Sequence, residues 1–237
     1  MPTYNNWIKD VLDGYGVSLV GFADLGGLDE NLCRGFKYGI SFAEALKIIP
    51  STVGKPSMDY YNGYKVITAR LEEISYILVD RIRERGFEAY SLAYRRQNRD
   101  YNSVISYRSL AIRAGIGWIG KSATLVTKQF GNALRLNGVL TDMPLQTATP
   151  ILTSQCEDCV ECVKKCPAKA ISGKLWEIGI NRNTLLNSDK CQKTAFGRSE
   201  VFDVTEGNCG LCLAVCPWTK KYFKRQAENE KVVSSIL

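Results

Sequence analysis

The chain has 237 residues, of which 45% are hydrophobic and 23% charged, and a formal net charge of +7. That is enough for one large domain, or one domain and a smaller partner, around a real core, and the basic excess is too mild to name an anionic partner. There is no histidine, which excludes histidine-ligated haem, His-containing zinc sites and every Ser-His or Cys-His catalytic pair.

No apolar run approaches the roughly 18 residues of a membrane span. The opening "MPTYNNWIKDVLDGYG" lacks the basic-then-apolar layout of a signal peptide. A cytoplasmic protein is expected, and its nine cysteines then argue against a disulfide framework.

In chain order, "NNWIKDVLDGYG" places Trp7, Ile8, Val11 and Leu12 at helical spacing and stops at glycine. "VSLVGFADL" follows as a buried strand and "FKYGISFAEAL" as a second. Cys33, in "ENLCRGFKY", falls between elements and reads as a small buried residue, since no histidine is there to activate it. Residues 50–58, "PSTVGKPSM", are a loop by composition. The clearest helix is "DYYNGYKVITARLEEISYILVDRIRERGF", where Tyr64, Ile67, Leu71, Ile74, Leu78 and Ile82 keep a 3–4 period and Gly86 closes the end. Tyr60, Tyr61 and Tyr64 near its start either line a pocket or join the core. "EAYSLA" is then a strand, which completes an α/β layer of strand, strand, helix and strand. "RRQNRD", 95–100, is a polar loop, solvated or facing an anion. "SVISYRSLAIRAG" reads as a helix ending at Gly115.

From Gly115 the chain spells G-I-G-W-I-G-K-S, which satisfies the phosphate-loop pattern G-x-x-x-x-G-K-S/T. A phosphate loop follows a buried strand and opens a long helix. Here a helix precedes, and "ATLVTKQFGNALRLNGVL" reads as strand, "KQFGN" turn and strand, a hairpin. The order is wrong for a nucleotide site, and the glycines instead let backbone approach something flat or bulky.

Eight cysteines lie between 156 and 216. Cys156, Cys159, Cys162 and Cys166, with Pro167, form C-x2-C-x2-C-x3-C-P, the bacterial ferredoxin run. Cys209, Cys212, Cys216 and Pro217 repeat its second half, and Cys191 stands in for the missing first cysteine at Glu206. The ferredoxin crossover assigns Cys156, Cys159, Cys162 and Cys216 to one 4Fe–4S cluster, and Cys166, Cys191, Cys209 and Cys212 to another. Each fourth cysteine is expected to begin a helix, its proline at the first helical position. Two structural zinc sites are the competing reading, but zinc does not call for paired C-x3-C-P tails. Residues 1–150 thus form an α/β domain and 151–237 a ferredoxin-like double-cluster domain.

"LAIRAGIGWIGKSATLVT", then "GNALRLNGVLTDMPL", then the cysteine block with its displaced Cys191, together resemble the epoxyqueuosine reductase family and its shorter double-cluster relatives. Reductive dehalogenases share the "LTDMPL" and ferredoxin parts more distantly, and "GVSLVGFADL" is similar to the family's first strand. The resemblance covers nearly the whole chain. It implies an α+β or α/β fold whose N-terminal domain is cobalamin-reductase-like, of nitroreductase-like type, and holds cobalamin. The adjacent clusters would feed electrons to cobalt for a reduction, with a ferredoxin or flavodoxin as low-potential donor. By motif position, Gly117, Trp118, Gly120, Lys121, Ser122 and Arg135 would face the corrin; a core tryptophan and a capping lysine are the plainer readings of Trp118 and Lys121.

Two departures stand out. The family carries an acidic proton donor in a D-S/T-x-P-x-x-E-R/K stretch before its glycine motif. Here that stretch is "YNSVISYR": the acid position falls on Tyr101 with Asp100 one residue off register, and Tyr107 replaces the glutamate. The chain also ends at Leu237, without the long helical extension associated with tRNA binding. Both lead away from a tRNA substrate. Three functions follow: a cobamide-dependent reductase with Asp100, Tyr101 or Tyr107 as proton donor, an electron-transfer partner of a corrinoid protein or other enzyme, and a flavin-binding iron–sulfur reductase.

Overall fold

The computed structural model describes residues 4–50, 57–94, 104–200 and 207–236, with side chains as far as residue 230. The chain divides into two compact units. The first comprises Met1–Ala45, Lys65–Gly117 and Arg135–Leu152, and the second Leu46–Tyr64, Trp118–Leu134 and Thr153–Leu237. The last change of unit lies near the boundary expected at 150, but the second unit also draws in 46–64 and 118–134. The cause is close packing: Gly131 abuts Thr219, and Gly210 abuts Pro50 and Tyr60.

In the first unit, α1 (Asn5–Asp13) buries Ile8, Val11 and Leu12 as their spacing requires. Trp7 lies outside that stripe and carries the Arg85 guanidinium 3.7 Å from its ring centroid. β1 (Leu19–Asp24), α2 (Glu30–Cys33) and β2 (Tyr38–Ala45) follow. The short α2 escapes a periodicity test; it begins at an aspartate cap, Asp29, whose side chain accepts from the Asn31 backbone N–H. Cys33 ends it in the core. The helix α3 (Met58–Arg83) keeps the expected stripe, with Leu71, Ile74, Leu78 and Ile82 buried. Tyr60 and Tyr61 are also buried while Tyr64 is half-buried, so the first two tyrosines are core.

β3 (Ala89–Ser91), α4 (Tyr107–Arg113), β4 (Trp118–Ile119), β5 (Leu125–Val126) and β6 (Leu134–Thr141) complete this stretch. α4 starts later than expected because Ser106 caps it, its hydroxyl accepting from the Ser109 N–H at 3.0 Å. Four strands form one sheet in the order β1-β2-β6-β3. β1 and β2 are antiparallel, Leu19 opposite Ala43, as are β3 and β6, Ala89 opposite Thr141. Leu110 of α4 beds into the sheet where Gly39 and Gly138 leave room; a Cβ at either would collide with its methyl groups.

In the second unit β4 and β5 pair antiparallel, Trp118 opposite Val126 and Ile119 opposite Leu125. This corrects the expected hairpin. The "KQFGN" turn forms, closed by paired backbone bonds between Thr127 and Gly131, but β5 pairs back onto the glycine motif and β6 leaves for the four-stranded sheet. The remaining helices are α5 (Glu161–Lys165), α6 (Arg182–Leu185), α7 (Ser188–Ser199), α8 (Leu211–Ala214) and α9 (Pro217–Ile236). Pro217 opens α9 as expected. Pro167 opens no helix, because Cys166 stands at the end of α5 with extended backbone and its carbonyl accepts from Lys169 in a turn. Among the described residues, no helix is long and apolar enough to cross a membrane.

Candidate functional site

The cysteines are presented by short elements. A turn from the Cys156 carbonyl to the Cys159 N–H, at 3.0 Å, folds the first loop, and Glu157 adopts a left-handed φ of 45° within it. α5 carries Cys162, α7 Cys191 and α8 Cys212, while Cys166 and Cys216 close α5 and precede α9.

Their electrostatics sort them into two quartets. Burial pushes the Cys162 thiol up to about 11, helped by Cys156, Cys159 and Cys216. Burial pushes Cys212 up to about 12, helped by Cys162, Cys209, Cys191 and Cys166. Cys191 is raised by burial and by Cys166 and Cys209, against the opposing charge of Arg182. The groups drawn together are Cys156, Cys159, Cys162 and Cys216, and Cys166, Cys191, Cys209 and Cys212, with Cys162 and Cys212 facing across. The raised thiols of Cys162, Cys191, Cys212 and Cys216 become thiolates when cations neutralise them.

The surroundings suit anionic sulfur. The Ala170 N–H donates to Cys166 Sγ at 3.4 Å. Backbone N–H groups of Thr219 and Trp218 and the Thr219 hydroxyl all favour the Cys216 thiolate, against the larger effect of its burial. The two N–H groups belong to the first turn of α9, whose amides have no partner within the helix and where partial positive charge gathers. Trp118 Nε1, Ser154 Oγ and Asn208 Nδ2 are buried without a hydrogen-bond partner. All three belong to residues near the cysteines: Ser154 lies two residues before Cys156 and Asn208 directly before Cys209, and Trp118 packs edge-on against Trp218, 5.7 Å between centroids. Such orphaned donors fit sulfide- and thiolate-rich groups. Among the described residues, no three His, Cys, Asp or Glu side chains gather tightly enough for a single metal ion, whereas sulfurs sharing one zinc each lie about 2.3 Å from it.

The glycine motif meets the first quartet. Gly120 leaves space that a Cβ would lose, 2.8 Å from Val126 Cγ2 and 3.4 Å from Cys156 Sγ. Lys121 is buried, and its Nζ donates to the Glu157 carbonyl at 2.6 Å. The Ser122 and Thr124 hydroxyls share a hydrogen bond of 2.8 Å. Trp118, Gly120, Lys121 and Ser122 are therefore brought together on the β4–β5 hairpin of the second unit. Gly117 ends a segment of the first unit, and Arg135, also in the first unit, donates from Nε to Thr68 Oγ1 at 2.9 Å. Tyr107 donates its hydroxyl to the Leu92 carbonyl at 3.0 Å. Asp100 and Tyr101, and the "RRQNRD" loop, lie outside the described residues. Sequence reasoning missed Thr219, which is buried and donates to Asn132 Oδ1 at 2.8 Å while accepting from the Asn132 N–H. The signal was its place three residues past Cys216, in the first turn of α9.

Residues 155–219 match the 4Fe–4S double cluster binding domain family. The tetrachloroethene reductive dehalogenase of Sulfurospirillum multivorans is 33% identical over 138 residues, 50% of this chain and 25% of that one. An epoxyqueuosine reductase of Synechocystis sp. is 30% identical over 128 residues, 50% of this chain and 41% of its own. That of Aliivibrio fischeri is 26% identical over 187 residues, 72% of this chain and 45% of its own. The chain thus spans less than half the length of these relatives. Among solved structures, an epoxyqueuosine reductase with a modified tRNA stem loop has a TM-score of 0.58 at 20% identity, covering 92% of this chain and 66% of that one. A catabolic reductive dehalogenase in complex with 3-bromo-4-hydroxybenzoic acid has a TM-score of 0.69 at 20% identity, covering 92% and 32%. Residues 155–219 thus carry a 4Fe–4S double cluster binding domain, and the chain is similar to epoxyqueuosine reductases and to reductive dehalogenases.

Proposed function

We propose that this protein is an iron–sulfur oxidoreductase in which two 4Fe–4S clusters deliver electrons to a cobamide held by the N-terminal domain. The observation that carries it is the match of residues 155–219, which hold eight of the nine cysteines, to a 4Fe–4S double cluster binding domain. In this reading the first unit, with most of residues 1–150, holds the cofactor in a domain of nitroreductase-like type, and the second unit, with residues 153–237, relays electrons from a ferredoxin or flavodoxin. A bound cobamide would supply low-valent cobalt as the reductant. The chain's own residues do the rest. Cys156, Cys159, Cys162 and Cys216 hold one cluster, and Cys166, Cys191, Cys209 and Cys212 the other. Gly117 and Arg135 stay with the corrin, while Trp118, Gly120, Lys121 and Ser122 brace the first cluster. The relatives' names support a reductase, and the named substrates stay with the proteins that bear those names.

Anaerobically reconstituted full chain tests this. About eight irons per chain are expected from two four-iron clusters, and added cob(II)alamin should bind and change its absorption. Iron near eight with no spectral response to micromolar cob(II)alamin would remove the cobamide and keep the relay.

A second reading is a low-potential electron donor to a corrinoid protein, without substrate chemistry. It is favoured by Tyr107, a candidate proton donor whose hydroxyl is already given to the Leu92 carbonyl. Reduced protein that re-reduces a corrinoid partner, yet binds no cobamide or extractable flavin, would establish this reading in place of the first.

A further inference from the structure

We infer that Lys121 is the charge partner of the cluster held by Cys156, Cys159, Cys162 and Cys216, and that it raises that cluster's reduction potential. This rests on the two-cluster reading above. Lys121 occupies the turn of the β4–β5 hairpin and is only 5% exposed. Its ammonium donates to the Glu157 carbonyl, inside the first cysteine loop, at 2.6 Å. A Cβ built on its backbone neighbour Gly120 would stand only 3.4 Å from Cys156 Sγ. Among the described residues no carboxylate pairs with it, and the Glu157 and Asp158 side chains of that loop are exposed.

A buried ammonium facing only a neutral carbonyl is strongly unfavourable unless an anion stands nearby. Four thiolates on a 4Fe–4S core form such an anion, and reduction adds one more negative charge. A fixed cation therefore favours the reduced form and lifts the potential. Phosphate is a poor alternative occupant. The Gly120 N–H is engaged by the Thr124 carbonyl and the Ala123 N–H by the Gly120 carbonyl, so these amides cannot cradle an anion. Lys121 is thus a positioning residue: through one side chain it pins the first cysteine loop and supplies countercharge.

Three substitutions separate these roles. Lys121→Gln keeps a donor without the charge, Lys121→Met removes both, and Lys121→Arg keeps both. The full chain is reconstituted anaerobically, its iron counted, and the two clusters titrated electrochemically while followed by electron paramagnetic resonance. In Lys121→Gln and Lys121→Met one cluster should become harder to reduce. Its ratio of reduced to oxidised cluster at the wild-type midpoint should fall about tenfold, a shift of about 59 mV for one electron, and the other cluster should move far less. Lys121→Arg should hold the wild-type value. Loss of one cluster in Gln and Met, with both retained in Arg, would support the inference in the same way. Full iron with both potentials unmoved in Lys121→Gln overturns it, as do equal shifts of both clusters or loss of a cluster in Arg. A wild-type chain that takes up no iron overturns the two-cluster reading and this inference with it.

Discussion

Replacing Gly131 by alanine should damage the first quartet from a distance. Gly131 adopts a φ of +59°, where an L-residue pays for its Cβ, at roughly 1–2 kcal/mol. A Cβ there would also strike the backbone nitrogen and hydroxyl of Thr219. Because the main obstacle is backbone at the start of α9, relief requires that helix to shift, and overpacking of this kind costs roughly 1–3 kcal/mol. The sum is about 2–5 kcal/mol, and in a chain of this length each kcal/mol lowers the Tm by roughly 2–4 °C. Gly179 is the control. Its φ is +92° and a Cβ would meet nothing within 4 Å, so Gly179→Ala should cost only the conformational part. Thermal melting of both variants isolates the steric part, and iron content reports its reach. A shifted Thr219 withdraws the N–H and hydroxyl that favour the Cys216 thiolate, so Gly131→Ala should also load less iron. If Gly131→Ala melts no lower than Gly179→Ala and binds full iron, the proposed link from hairpin to α9 to Cys216 is wrong.

Leu110→Ala should destabilise the chain by about 2–5 kcal/mol, since Leu110 is fully buried between Gly39 and Gly138; denaturant melts check it. Tyr222 donates to the Leu46 carbonyl at 3.1 Å, and burial raises its pKa above the usual 10. The native state holds that proton more tightly than the unfolded chain, so this stability is fully present below about pH 10 and is lost as pH rises through the raised value. Tyr222→Phe should weaken the chain by about 1 kcal/mol at neutral pH and flatten the alkaline decline, as unfolding curves between pH 8 and about 11 would show. Cys33 is 2% exposed and its thiol is raised, chiefly by burial, so it should resist iodoacetamide in the folded chain and react on unfolding, as mass spectrometry of the labelled protein would show.

The sequence made the local parts of this molecule legible because their causes are local. The apolar stripes of α1 and α3 lie within a few turns of chain, and the buried faces follow them. The cysteine spacing likewise encodes short turns, such as the one closed between the Cys156 carbonyl and the Cys159 N–H, and the double-cluster domain could be read from it. α2 was not legible, since four residues show no period and only the Asp29 cap marks its start. Pro167 failed for another reason: Cys166 already ends α5, so its proline meets a helix that is finishing.

The strand pairing was lost because its cause is distant. "TLVT" and "ALRLNGVL" flank a genuine turn, and alternation alone makes them partners. What separates them is contact with residues far along the chain. Asn132 exchanges hydrogen bonds with Thr219, while Gly120 abuts Cys156 and Lys121 holds the Glu157 carbonyl. Those contacts fix β4 and β5 against the cysteine loops and leave β6 to complete the sheet. They also explain how "GIGWIGKS" satisfies a phosphate-loop pattern without its function. The pattern asks for glycines that admit a close approach and a lysine that meets negative charge. A turn braced against an anionic cluster has the same two needs. The same letters therefore serve two chemistries, and what separates them is the disposition of the backbone amides, free at a helix start in a phosphate loop and engaged within the turn here.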